Sequence, residues 1–180
     1  MKKRRLIFLS ATIVGVIVLG SLGYVLISNM SSGNDLKKIQ GKYAMSEREL
    51  RDIVKSKHLT VYWAGPVVGD KYALTIGAAG QTFVRYLPNG KGLTTTGSTF
   101  RIIATYSLKG AFLATQTAGT QTGNVGFTNV DGNSVFYVKT RPTNVYMGIK
   151  GQDIQLEIFD PAIDQALALA LFHGQIQPIN

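Results

Sequence analysis

The 180-residue chain has no cysteine, which excludes a disulfide, a thiolate metal site, a cysteine nucleophile and a lipid tether through cysteine. Charged residues are sparse at 16%, and the two histidines, His58 and His173, lie far apart without the H-x-x-x-H or H-E-x-x-H spacing of a zinc site. There is no G-x-S-x-G, no S-x-x-K and no P-loop: Gly90-Lys91-Gly92 lacks the earlier glycine and the following hydroxyl that phosphate binding requires. Asn129-x-Asp131-x-Asn133 imitates the first half of a calcium loop, but Ser134 and Thr140 stand where glycine and glutamate belong, so a hairpin turn is expected there. These residues propose no metal, no cofactor and no catalytic group.

What is present is enough apolar material for a packed domain, 45% of residues, which excludes disorder throughout. The formal net charge of +9 is unevenly spread. Residues 1–57 hold eleven Lys/Arg against four Asp/Glu, whereas 58–180 hold eight against six, so the second part is nearly neutral. Basicity that flanks an apolar stretch fits membrane topology and argues against a nucleic-acid partner.

That stretch is residues 6–28, twenty-three residues without a charge. At about 1.5 Å per residue a helix of this length covers a bilayer core of about 30 Å. The basic tail at 1–5, with Lys2, Lys3, Arg4 and Arg5, is expected to stay in the cytoplasm and the remainder to lie outside, as in a single-pass signal-anchor protein of the cell membrane. A cleaved signal peptide is the competing expectation, but no A-x-A site appears and apolar residues continue through Tyr24, Val25, Leu26 and Ile27. Ala11 and Gly15 form a small-x-x-x-small pair of the kind that lets two anchors approach, but such pairs are frequent by chance, and a homodimer, if formed, is expected through the final helix.

Residues 29–45 are small, polar and basic, and read as a stalk; an extracytoplasmic domain is expected over 46–180. Ser46 and Glu49 form a capping box ahead of Leu50, Ile53 and Val54, so a helix is expected over 46–57. Short runs rich in β-branched and aromatic residues follow at 60–63, 71–76, 82–87, 100–106, 125–130, 134–139, 144–149 and 154–159, most of them separated by turn residues. Ile154, Leu156 and Ile158 alternate with Gln155 and Glu157, which predicts one apolar face and one solvated face. Further helices are expected at 107–118, ending at Gly119, and after Asp160 as cap with Pro161 in the first turn. The run 166–172 of the last helix is apolar all round and calls for burial on more than one side, by the sheet, the first helix or another subunit. Neighbouring strands joined by tight turns are antiparallel, so the fold class is α+β: a mostly antiparallel sheet packed with two or three helices behind an N-terminal transmembrane helix.

The residues with binding chemistry are aromatic and polar. Tyr62 and Trp63 end a strand before Ala64-Gly65-Pro66, and Arg85 and Tyr86 lie in Val84-Arg85-Tyr86-Leu87-Pro88. With Glu157 they make a candidate recognition surface, since tyrosine and tryptophan offer contact area with a polar tip and arginine a planar fork. The structural alternative is that Trp63 packs in the core and Arg85 pairs with an acid such as Glu157 across the sheet.

These same segments, 59–66, 72–75, 83–88, 104–106 and 154–161 with the C-terminal 174–179, resemble a family of small membrane-anchored proteins of unknown function from actinobacteria. The resemblance covers the chain from about residue 46 onward. It implies an envelope location and an intact fold, and carries no ligand and no catalytic residue. The function expected is that of a membrane-anchored binding or interaction module whose partner is an envelope protein or wall component. An envelope hydrolase using Glu157, Asp160 or His173 for proton transfer is the alternative.

Overall fold

The computed structural model describes residues 38–95 and 99–180. The expected tail, the expected anchor at 6–28 and the first part of the stalk lie outside the described residues. Among the described residues no helix is long and apolar enough to cross a membrane.

The fold is α+β, built on a seven-stranded antiparallel sheet. The first helix, α1 (Glu47–Ser56), begins as its capping box dictates: the Glu49 amide donates to Ser46 Oγ at 3.3 Å, and the Ser46 amide donates to the Glu49 carboxylate at 2.9 Å. Its stripe of Leu50, Ile53 and Val54 is buried. Then come β1 (Tyr62–Trp63), β2 (Lys71–Ile76), β3 (Thr82–Leu87), a short 3-10 turn, β4 (Ile102–Ser107), α2 (Ala111–Gly119), β5 (Asn124–Thr128), β6 (Ser134–Val138), β7 (Asn144–Gly148), β8 (Ile154–Phe159), α3 (Gln165–Leu171) and β9 (Gln177–Pro178).

In the large sheet the order is β2-β3-β4-β8-β7-β6-β5, so two meanders, β2 to β4 and β5 to β8, are joined where β4 pairs with β8. β8 is therefore the middle strand. The small strands β1 and β9 pair with each other, Trp63 opposite Gln177. The period-two alternation decides which side chains share a face. Tyr72, Leu74, Val84, Tyr86, Ile103, Leu156, Ile158, Val145 and Met147 point into the core, where α1, β1 and α3 cover them. In α3 the buried residues are Ala166, Leu169 and Ala170, which pack toward β7 and β8.

Four sequence expectations are corrected. The segment expected as the end of a stalk belongs to the domain: Gln40 bridges Thr75, Met45 bridges Tyr72, and Ile39 and Met45 are buried, because the outer edge of β2 needs backbone partners and an apolar cover. Helix α2 starts at Ala111 because β4 continues through Ser107, and the N-cap is Gly110 in the left-handed region. Asp160 does not cap α3. Its Oδ2 accepts from Arg101 Nε at 2.7 Å and its Oδ1 from the Ala162 amide, so it closes a turn, and the helix starts after Asp164. The outward sheet face is not freely solvated, since α2 lies across β5, β6, β7 and β8.

Candidate functional site

Glu157 sits midway along β8, on the sheet face that points away from the core, with Ala104 of β4 on one side and Tyr146 of β7 on the other. The pairing that joins the two meanders brings donors from both to this carboxylate. Tyr106 from β4 donates its hydroxyl to Oε2 at 2.9 Å, and Asn144 from β7 donates Nδ2 to Oε1 at 2.8 Å. The Tyr146 hydroxyl stands 3.5 Å from Oε1. All four side chains are half-buried. Among the described residues no lysine, arginine or histidine nitrogen lies within ion-pairing distance of Glu157.

Aromatic packing holds the two phenols in place. Phe83 meets Tyr106 edge-on with ring centroids 6.1 Å apart, and Phe136 stacks on Tyr146 at 4.8 Å. Burial, and then the negative charge of Glu157, raise the Tyr106 phenol well above the ordinary tyrosine range. The same two causes push Tyr146 up to about 12, partly offset by Arg141. Both groups therefore remain O–H donors over the physiological range.

The other candidate residues lie elsewhere. Trp63 is fully buried, with its ring edge-on to Tyr72 at 5.5 Å and the Arg51 guanidinium 4.9 Å from its centroid. Tyr86 is on the core face, where its hydroxyl donates to Gly65 O at 3.0 Å and accepts from the Ala64 amide at 2.7 Å. Its phenol is raised far above the usual value, mainly by burial. The Tyr72 hydroxyl likewise accepts from the Val67 amide at 2.9 Å. Two core tyrosines thus tie down the 64–67 turn, and the segments Tyr62-Trp63-Ala64-Gly65-Pro66 and Arg85-Tyr86-Leu87-Pro88 meet there. Tyr62 is also buried, and its hydroxyl reaches Gln152 Oε1 at 3.0 Å. Arg85 shares the outward face with Glu157 but donates to the carbonyls of Leu93 and Thr95 at 2.8 and 3.2 Å, anchoring the stretch 93–95. Of the five residues singled out from sequence, Tyr62, Trp63 and Tyr86 lie in the core, and Arg85 and Glu157 share the outward face. The neighbours that complete the Glu157 cluster, Tyr106, Tyr146 and Asn144, carried no local signal beyond being outward positions on strands.

The acids and histidine of a hydrolase do not converge. Asp160, at the end of β8, is paired with Arg101. His173 is exposed and contacts Asp131, in the turn at the opposite end of the sheet. Asn129, the first residue of the calcium-like stretch, accepts from the amides of Asp131 and Asn133 and donates to Ala170 O at 2.8 Å, so its side chain is committed to the hairpin. Among the described residues no three His, Asp or Glu side chains gather as a metal site. Comparison with protein-family models, curated proteins and solved structures finds no match.

Proposed function

We propose that this chain is a single-pass, membrane-anchored binding module of the cell envelope. In this reading residues 6–28 hold it in the bilayer with the N-terminus in the cytoplasm, and the α+β domain faces outward, as in the actinobacterial family it resembles. Tethering beside the bilayer raises the effective concentration of the domain toward an envelope protein or wall component. The observation that carries the binding role is Glu157: a half-buried acceptor on the central strand of the outward sheet face, beside α2, held by two phenols and an amide and flanked by half-buried aromatic rings. Binding sites combine such apolar walls with a few fixed polar groups. The separation of Glu157, Asp160 and His173 supports binding over hydrolysis.

Two measurements test this. Protease added to intact spheroplasts is expected to degrade the C-terminal domain; a fully protected domain rules out the outward placement. Full-length chain in detergent micelles is expected to be retained by isolated wall fragments or to cross-link to a specific membrane protein. Failure of both, with the domain folded, ends the module reading.

A further inference from the structure

We propose that the face centred on Glu157 receives a primary alkylammonium group, such as that of a lysine side chain in a peptide or of an ethanolamine headgroup. The assignment rests on the binding-module reading and gives it a ligand chemistry.

The hydrogen-bond directions decide the class of ligand. Tyr106 and Asn144 spend donors on the carboxylate, and the Tyr146 hydroxyl points at it as well. The nearby Gln155 amide gives one N–H to Thr115 Oγ1 at 2.9 Å. What the cluster centres on is a carboxylate whose partners are all neutral, with lone pairs left on it and on the phenolic oxygens. A neutral ligand leaves that charge unpaired, and an anion is repelled by it.

A cation satisfies these acceptors and neutralises the carboxylate. Among cations, a guanidinium fork needs both carboxylate oxygens side by side, but Oε1 already accepts from Asn144 and from the Tyr146 hydroxyl, which leaves Oε2 as the more open one. An ammonium is compact and presents three donors, which suits one carboxylate oxygen and two phenolic oxygens. Among the described residues no base pairs with Glu157: Arg141, on the exposed β6–β7 turn, influences Tyr146 from a distance, and Arg85, on the same face, donates to the carbonyls of Leu93 and Thr95. The site is also rigid, because Phe83 and Phe136 brace the two phenols, so little ordering is needed on binding.

The test titrates the full-length chain in micelles with Nα-acetyl-lysine amide, with O-phosphoethanolamine and with the uncharged Nα-acetyl-norleucine amide, followed by calorimetry. Millimolar binding of one or both amines is expected, with norleucine amide binding at least about tenfold more weakly. Tighter lysine amide points to a peptide side chain, and tighter phosphoethanolamine to a headgroup. Glu157→Gln is expected to lose at least about tenfold in affinity, with Trp63 emission and thermal melting reporting that it still folds. Should that variant misfold, Tyr106→Phe, which keeps the ring and removes the hydroxyl, is expected to weaken binding several-fold. Equal binding by wild type and a folded Glu157→Gln chain overturns the assignment, as does the absence of amine binding by wild type. If envelope capture persists unchanged in Glu157→Gln, the module reading stands and the ammonium site falls. If amines bind through Glu157 but nothing in the envelope is captured, the reverse holds.

Discussion

Gly119 at the end of α2 and Gly126 in β5 meet backbone to backbone: a Cβ on Gly126 would lie 2.6 Å from the Gly119 Cα. Gly148 in β7 gives way in the same manner, since a Cβ there would lie 2.6 Å from Ala111 O and 2.7 Å from Thr115 Oγ1. These two sheet glycines form the seat on which α2 rests, close enough for Gln155 to reach Thr115.

Replacing a strand glycine by alanine ordinarily stabilises a protein, because the unfolded chain loses freedom. At Gly126 the sign is expected to reverse, since the obstructing atoms are backbone and cannot step aside. Gly126→Ala and Gly148→Ala should each cost about 1–3 kcal/mol, read as a lower urea midpoint at unchanged slope. An unchanged or raised midpoint would mean that α2 does not sit this close.

Acid should loosen the N-terminal end of the domain. The Ser46 amide, then Lys38 and the Ser46 hydroxyl, hold the Glu49 carboxyl down at about 2. Because the folded value lies below the unfolded one, the unfolded chain takes up the proton first; the stabilisation is complete above about pH 4.5 and is lost as pH falls toward 2. The carboxylate is partly exposed, so solvent screening keeps the effect small. Glu49→Gln should flatten the fall of Tm across that window, and Ser46→Ala should cost about 1 kcal/mol at neutral pH.

Alkali should report on the buried phenols. Of the eight tyrosines, Tyr72, Tyr86, Tyr106 and Tyr146 are all raised above the usual value, each mainly by burial. A raised folded value means that stability is intact below about pH 10 and is lost as pH climbs through the folded values. Phenolate absorbance should therefore show a late fraction that appears together with unfolding. In Glu157→Gln, Tyr106 and Tyr146 should ionise earlier, because one of the two causes that raise them has gone.

Trp63 is the only tryptophan and is fully buried, so the native chain should emit at short wavelength and shift red on unfolding. Trp63→Ala should cost about 3–5 kcal/mol as a cavity. Trp63→Phe should cost much less than that: the ring contact with Tyr72 is kept in kind, and the buried indole N–H has no protein partner to lose. Equal losses in the two variants would show that the indole edge, and not apolar volume, holds this corner.

Much of the local structure was legible in the residues themselves. Ser46 and Glu49 announced α1, and the alternation of Ile154, Leu156 and Ile158 with Gln155 and Glu157 assigned β8 and its two faces. The turn at Asp131-Gly132 was equally plain, with Gly132 at φ 78°. Expectations slipped where a residue had two competing uses. Ser107 resembles a helix cap but ends a strand, and Asp160 resembles one but serves Arg101, fifty-nine residues away in sequence. Trp63 and Tyr86 have the chemistry of a recognition surface, yet their ring area is worth more in the core.

Short-range chemistry in the sequence alone thus determined which segments form the large sheet, where α1 starts, and that the chain lacks the means for thiol chemistry, but not the short strand β9. Only the tertiary structure decided that β4 pairs with β8, that α2 settles on Gly126 and Gly148, and that Tyr106, Tyr146 and Asn144 gather around Glu157. The physical reason is reach. Caps and turns are settled by hydrogen bonds a few residues apart, whereas the joining of two meanders is settled by how whole faces of side chains fit, and no window of sequence contains both faces.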